Sequence, residues 1–291
     1  MSGNLPHRTP VLQKPVVRTR RGLGGALPAL ILVTLFFVVP VVALLLRSVT
    51  EPTPGLQNYA ILFGDGTYAR VFFNTFLVAS IVTAVTVIVA FPVAWTLAIM
   101  PPALGSIVFG IIILSMWTNL LTRTYAWMVL LQRTGVINRT LMDIGLINEP
   151  LPLINNLTGV TIGMVYIMLP FMILPLVGTL RAIDPMTLRA AALCGASPLD
   201  AFRRILLPLS LPGIAAGGLM VFVMSLGYFV TPTLLGGTSN MMLAGMIAQM
   251  IQSLLNWGLG SAAAFILLVV TMALYALQLR LVGTQRVTGG V

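Results

Sequence analysis

Long apolar segments separated by short polar ones run through the whole chain. Six of them approach or exceed the roughly 20 apolar residues that a membrane-crossing helix needs, and none contains Asp, Glu, Lys, Arg or His. The first follows basic residues, as a cleaved signal peptide would, but it is too long for such a peptide and lacks an evident A-x-A site. We therefore expect six uncleaved spans, at residues 24–46, 72–100, 104–122, 157–180, 209–235 and 257–279.

The composition places the chain in lipid. Hydrophobic residues make up 58% of it and charged residues 8%, whereas about a quarter of a soluble domain is charged. The net charge of +10 is therefore no argument for a nucleic-acid partner. We predict an all-α integral membrane protein with one transmembrane domain, residues 24–281, between a basic tail (1–23) and a C-terminal tail (282–291). The single cysteine excludes an internal disulfide, and we expect no metal, cofactor or catalytic site.

The distribution of Lys and Arg predicts the orientation. Cytoplasmic loops of membrane proteins carry an excess of these residues, and eleven of the 16 lie in the two tails and in the segment between spans four and five. Both termini and that segment are therefore predicted to be cytoplasmic. The eleven are Arg8, Lys14, Arg18, Arg20, Arg21, Arg181, Arg189, Arg203, Arg204, Arg280 and Arg286. The other five are Arg47, Arg70, Arg123, Arg133 and Arg139.

A long outer segment follows span three. Ile137, Leu141 and Ile144 recur at helical spacing and form one apolar face, and Gly145 is a suitable stop. The pattern predicts a short helix on the outer surface. This helix is either a connector resting on lipid or a docking surface for an external partner.

The polar segment between spans four and five has helix-start and helix-stop signals of its own. Asp184 can cap a helix that runs through Cys194 and stops at Gly195. Ser197 can cap a second helix, with Pro198 in its first position, that ends at Pro208. At about ten residues, or roughly 15 Å, each is too short to cross a bilayer. Two short helices with a sharp bend are expected; the alternative is an ordinary loop whose arginines hold the topology.

At these residues the chain resembles the permeases of ATP-binding-cassette importers. Their cytoplasmic motif is E-A-A-x3-G-x9-I-x-L-P, and residues 189–208 match it in type and spacing except that Arg189 replaces Glu. In that family the segment, here residues 185–207, is the coupling helix, which sits in a groove of the ATPase. The resemblance implies that the ATPase-coupling residues are Arg189, Ala190, Ala191, Gly195, Ala196, Ser197, Pro198, Ile205 and Pro208.

Four further segments are similar to the first permease of the spermidine/putrescine branch: residues 74–98, 117–141, 163–176 and 225–237. The resemblance implies a type I importer permease with a MetI-like fold in a bacterial inner membrane. Its implied partners are a second permease, a cytoplasmic ATPase dimer and a periplasmic binding protein that delivers a small-molecule substrate, here a polyamine. Membrane lipid surrounds the spans.

The residues themselves favour a transport subunit whose energy is supplied by another polypeptide. A cation-coupled transporter usually carries ionisable groups within the membrane, and the six predicted spans have none. The chain also lacks the G-x-x-x-x-G-K-[ST] loop of an ATPase, so we expect a transport subunit rather than an enzyme. The alternatives are a secondary transporter or channel for a small organic solute, an importer permease for a different solute, or a structural subunit.

No carboxylate in these spans can hold a polycation, so specificity is expected to lie mainly in the binding protein. Each candidate pathway residue also has a structural interpretation; Asn74, for example, can cap span two. Gly213 and Gly217 form G-x-x-x-G, which permits close helix packing. The candidate pathway residues are Asn74, Asn119, Tyr166, Tyr228 and Thr231.

Overall fold

The computed structural model describes the backbone of residues 21–237 and 240–288, and the side chains of 27–237 and 240–277. All regular structure in these ranges is helical. Most of the predicted cytoplasmic tails, and the side chains of Arg280 and Arg286, lie outside the described residues. The chain divides into two compact units, residues 1–44 and 45–291.

The first unit contains α1 (Arg21–Val33), a π-helical turn (Thr34–Val38) and the start of α2 (Val39–Thr50). The 24 residues Leu27–Thr50 are apolar and long enough to cross a membrane, in agreement with the predicted first span. Pro40 explains the π turn, because a proline ring clashes with the carbonyl four residues earlier in a regular α-helix.

The second unit holds the remaining helices. Three of the long ones, Gly66–Ile99, Leu157–Arg181 and Trp257–Thr288, agree with the predicted spans two, four and six, whereas the helices Gln57–Gly64 and Leu243–Gln252, and most of Leu120–Leu131, lie outside the predicted spans. The helices are α3 (Gln57–Gly64), α4 (Gly66–Ile99), α5 (Pro102–Met116), α6 (Leu120–Leu131), α7 (Val136–Asp143), α8 (Leu157–Arg181), α9 (Pro185–Leu193), α10 (Pro198–Ala201), a π turn (Phe202–Leu206), α11 (Leu207–Leu226), α12 (Val230–Leu235), α13 (Leu243–Gln252) and α14 (Trp257–Thr288).

The predicted span 104–122 is not one continuous helix, because residues 117–122 depart from it. Helix α5 ends at Met116, and the helical segment Leu120–Asp143 that follows the break is bent from α5 by 96°. The side chain of Asn119 accepts hydrogen bonds from the backbone N–H groups of Leu121 and Thr122, at 2.9 and 3.3 Å. An Asn in this position starts a new helix, and this cap accounts for the break.

The predicted span 209–235 is also broken. Helix α11 ends at Leu226, and α12 is a separate helix of six residues. Pro232 provides the physical reason, because its ring would clash with the carbonyl of Tyr228 in a continuous helix. The chain leaves the helical path at Gly227 and resumes it at Val230.

Helix α8 lies at the centre of the second unit and packs against both α4 and α11. Three of its methionines recur every four residues and are completely buried: Met164, Met168 and Met172. Gly213 and Gly217 bring α11 close to α8. A Cβ atom at Gly213 would lie 2.5 Å from Thr179 Oγ1 and one at Gly217 would lie 2.6 Å from Met172 Sδ, so the predicted close packing is confirmed.

The short helix predicted after span three is present as α7. Its end is fixed by Gly145, which has φ +71°. The buried side chain of Asn138 ties the helix to the following loop, because its amide exchanges hydrogen bonds with the backbone of Leu151 at 2.9 and 3.1 Å.

Candidate functional site

The polar segment after α8 begins with a capped helix. The Asp184 carboxylate accepts a hydrogen bond from the N–H of Met186 at 2.8 Å, and Pro185 fills the first helical position, where no N–H is needed. Helix α9 ends one residue before the predicted end, and Gly195 then adopts φ +84°. Residues with a side chain rarely adopt this conformation, so the predicted stop at Gly195 is confirmed.

Two backbone hydrogen bonds close the end of α9. The N–H of Ala196 donates to the carbonyl of Ala191, and the N–H of Gly195 donates to the carbonyl of Ala192, both at 3.0 Å. This pair is a Schellman motif. The bend therefore has a defined geometry, unlike an ordinary surface loop.

The second helix starts as predicted. The N–H of Asp200 donates to Ser197 Oγ at 3.1 Å, and that hydroxyl donates to Asp200 Oδ2 at 2.6 Å. Pro198 occupies the first helical position. Arg204 Nε lies 3.5 Å from Asp200 Oδ1 on the exposed side of the same helix.

The predicted end of this helix at Pro208 is wrong. Helix α10, the π turn and α11 form one apolar helical segment of 29 residues, Pro198–Leu226. In the π turn the N–H of Leu207 donates to the carbonyl of Phe202, five residues back. The wider turn accommodates the Pro208 ring, which would clash in a regular α-helix. The bend is thus joined directly to the fifth span.

The surface of the bend is exposed and partly apolar. The side chain of Leu193 is 91% exposed and that of Met186 is 60% exposed. A Cβ atom at Gly195 would meet nothing within 4 Å. Arg189 is exposed, and the two ion pairs of the described residues, Arg47–Glu51 and Arg204–Asp200, do not involve it. Ala191, Ala196 and Ile205 are half-buried, whereas Ala190, Ser197, Pro198 and Pro208 are exposed.

Asn74 does not cap span two. Helix α4 begins eight residues earlier, at Gly66, where the Asp65 carboxylate accepts a hydrogen bond from the N–H of Thr67. Asn74 instead donates from Nδ2 to the carbonyl of Met241 at 3.0 Å, which ties α4 to the start of α13.

The structure brings two of the five pathway candidates together, because the side chains of Tyr228 and Thr231 are hydrogen-bonded; the other three make separate contacts. Asn119 is used as a helix cap, and the ring of Tyr166 stands edge-on to Trp127 with centroids 5.6 Å apart. Tyr228 is half-buried in the break between α11 and α12. Thr231 is completely buried, with Oγ1 3.2 Å from that of Thr124.

A groove that the sequence analysis missed lies between α12 and α13. Its volume is about 440 Å³. The missed signal is in residues 243–252, where buried apolar residues recur at helical spacing and two glutamines lie between or after them. The residues of the groove that carry side-chain polar groups or rings are Phe229, Thr233, Gln249, Gln252 and Ser253.

Comparison with known proteins identifies relatives along most of the chain. The family described as binding-protein-dependent transport system inner membrane component matches residues 111–286. The spermidine/putrescine transport system permease protein PotB of Haemophilus influenzae is 36% identical over 219 residues, which cover 75% of this chain and 76% of the relative. PotB of Escherichia coli K12 is 34% identical over 215 residues, which cover 74% and 78%.

A chain of the crystal structure of a bacterial alginate ABC transporter, in complex with alginate pentasaccharide-bound periplasmic protein, has the same fold. It superimposes with a TM-score of 0.71 at 17% identity, covering 92% of this chain and 95% of the other. The predicted all-α fold and the predicted permease role are confirmed. With a family match over more than half of its length, this chain belongs to the inner-membrane components of binding-protein-dependent transport systems, and it is a permease subunit of an ATP-binding-cassette importer.

Proposed function

We propose that this chain is one of two permeases that form the translocation pathway of an ATP-driven polyamine importer. In this proposal α9 and the bend at residues 194–197 are the contact with the cytoplasmic ATPase dimer. The observation that carries the proposal is the geometry of the bend, which is closed by a Schellman motif and joined through Ser197 to the fifth span. A force applied to α9 would therefore act on a membrane-crossing helix.

Exposed apolar side chains support a protein partner at this surface. Leu193 and Met186 present their side chains on a segment that the distribution of Lys and Arg assigns to the cytoplasm, together with both termini. Clustered exposed apolar side chains of this kind mark interaction sites. Gly195 leaves room for close approach, because no atom lies within 4 Å of its missing Cβ.

Arg189 contributes a positive charge to the proposed contact. The family motif has Glu at this place, so the partner of this chain must present a different group. The natural partner for an exposed guanidinium without an ion pair in the described residues is a carboxylate, which can accept two parallel hydrogen bonds. We propose an acidic residue of the ATPase as that partner.

The polyamine substrate is proposed from the two PotB relatives, which are spermidine/putrescine permeases. The predicted spans contain no carboxylate, and a polycation can be selected elsewhere, by a periplasmic binding protein that delivers it. Energy likewise comes from partner subunits, since the predicted spans contain no ionisable group to couple a cation gradient.

The test is reconstitution of the full complex in proteoliposomes with its binding protein. We expect uptake of spermidine or putrescine that requires both ATP and the ATPase subunits. Equal uptake with the ATPase subunits left out would refute the proposal, and ATP-dependent uptake of other solutes but not of polyamines would refute the substrate assignment.

A matched pair of variants tests the polar contact. Arg189→Ala should lower the amount of ATPase that co-purifies with the permease, by about tenfold if a charge-assisted bond is lost. Arg139→Ala removes an exposed arginine from α7, on the predicted outer side, and should leave the yield unchanged. Equal yields from both variants would show that Arg189 does not contact the ATPase.

A further inference from the structure

Helix α13 has one apolar and one polar face. Leu243, Met246 and Met250 are buried against the second unit, whereas Gln249 and Gln252 are exposed. The two amides are three residues apart and therefore lie on the same side of the helix. Exposure of an amide to lipid without a hydrogen-bond partner is unfavourable, so this face requires water or a polar ligand.

The polar face of α13 forms one wall of the groove of about 440 Å³, and α12 contributes the opposite wall. Gly237 and Gly245 border the groove without side chains that would fill it. None of the described residues that line it is charged, and Arg123 of the neighbouring α6 is not part of the lining. The groove offers amide and hydroxyl oxygens and one exposed aromatic ring, that of Phe229.

The groove lies at the end of the bundle where α4, α8 and α14 begin. Helix α12 rests on the first two turns of α8, because a Cβ atom at Gly163 would lie 2.5 Å from Leu235 Cδ1. Helix α13 contacts the first turn of α14, where a Cβ atom at Gly260 would lie 2.7 Å from Ile251 Cγ1. Under the proposed topology, with both termini in the cytoplasm, this is the outer end.

Two side chains of α4 fix the position of α13. Thr75 Oγ1 accepts a hydrogen bond from the N–H of Leu243 at 2.8 Å, and Asn74 Nδ2 donates to the carbonyl of Met241 at 3.0 Å. The polar face of α13 is therefore held in one orientation by the second span. Asn74 acts as a positioning residue in this arrangement.

We infer that the groove between α12 and α13 receives the protonated amines of the substrate at the outer mouth of the permease. The ammonium N–H groups donate to the amide oxygens of Gln249 and Gln252, and the ring of Phe229 attracts the cation through its π face. This inference rests on the proposed function. Uncharged groups bind a cation weakly, and weak binding suits a site that must release its ligand at every cycle.

The first experiment changes the charge of the groove while keeping side-chain size similar. It uses the complete complex in proteoliposomes with saturating spermidine-loaded binding protein, and measures spermidine taken up per ATP hydrolysed. Gln249→Lys should lower this ratio roughly tenfold, because it places a cation where the ammonium group binds. Gln249→Glu should keep the ratio within about twofold of the original protein, since a carboxylate also accepts from ammonium.

The original complex and the two variants separate the possible failures. Equal uptake per ATP for Gln249→Lys and Gln249→Glu, or a loss with Gln249→Glu alone, would overturn the groove assignment. ATP-dependent uptake by the original complex would still uphold the proposed function. Absence of ATP-dependent polyamine uptake by the original complex would overturn the proposed function itself. Should both variants fail to assemble, Phe229→Leu tests the same site by removing only the ring, and an unchanged ratio would overturn the assignment.

The second experiment tests whether the groove is open in the complex. Gln252→Cys in a Cys194→Ser background places a single thiol in the groove, since Cys194 is the one native cysteine. A membrane-impermeant thiol reagent added from the outside should modify it, and spermidine-loaded binding protein should slow the reaction. A thiol that stays unreactive in the assembled complex but reacts in the isolated chain would show that another subunit covers the groove, which contradicts the inference.

Discussion

Two glycines of this chain occupy the same backbone geometry in different places, and together they isolate the role of the bend. Gly195 ends α9 and Gly145 ends α7, with φ +84° and +71°. Each donates to the carbonyl three residues back, and the residue after each donates five residues back. A Cβ atom would meet nothing within 4 Å at either position. The first atom of a replacing side chain therefore causes no clash within the chain at either position.

The structural cost should be the same at both sites. A residue with a side chain pays about 1–2 kcal/mol to hold the left-handed conformation, a factor of roughly 5–30 in the equilibrium between the native turn and alternatives. Gly195→Leu carries this cost and also places a bulky side chain on the proposed contact surface. Gly195→Ala carries the cost with a single methyl group. We expect ATPase co-purification to fall about tenfold or more with Leu and less with Ala.

The assay is the molar ratio of ATPase to permease after purification of the complex in detergent, with thermal unfolding of the permease as a measure of stability. Gly145→Leu should lower stability as much as Gly195→Leu but leave the ratio unchanged. An equal loss of ATPase from both variants would show that strain alone is responsible. An unchanged ratio in Gly195→Leu would refute the assignment of the bend as the contact.

Two further predictions concern packing within the second unit. Gly217→Leu should destabilise the permease by about 1–3 kcal/mol or more, since even a Cβ atom would lie 2.6 Å from Met172 Sδ. Gly110→Leu, where a Cβ atom would meet nothing within 4 Å, should not; equal thermal stability of the two in detergent would contradict the close approach of α8 and α11. Thr75→Val should cost about 1–3 kcal/mol because the N–H of Leu243 loses its buried acceptor; an unaltered protection of that N–H in hydrogen exchange would contradict this hydrogen bond.

The parts of the structure that the sequence predicted well are those fixed by local chemistry. Asp184, Gly195 and Ser197 each form the cap or stop that their residue types favour, because these contacts are made within a few residues of the chain. The short helix α7 was predicted for the same reason. Spans two, four and six were also correct, since their length and apolar character suffice to define them.

The errors concern positions where a helix begins, ends or changes its turn within a long apolar segment, or where a side chain bonds to a distant part of the chain. Pro208 was expected to end a helix, but a π turn just before it accommodates its ring, as the turn Thr34–Val38 does before Pro40. Pro232 and Asn119 break segments that are mostly apolar around them. Asn74 was expected to cap a helix, and its actual partner, the carbonyl of Met241, is distant in the chain and close only in the folded structure.

The bend is proposed to touch the ATPase, and Cys194 allows a direct test of this contact. This cysteine is exposed in the bend and is the single cysteine of the chain, so a photoreactive maleimide labels one known place. In the assembled complex, illumination should join the permease covalently to the ATPase, and assembly should protect Cys194 from soluble thiol reagents. If Cys194 crosslinks to the binding protein, or reacts with an impermeant reagent added from the outside, the bend does not contact a cytoplasmic ATPase.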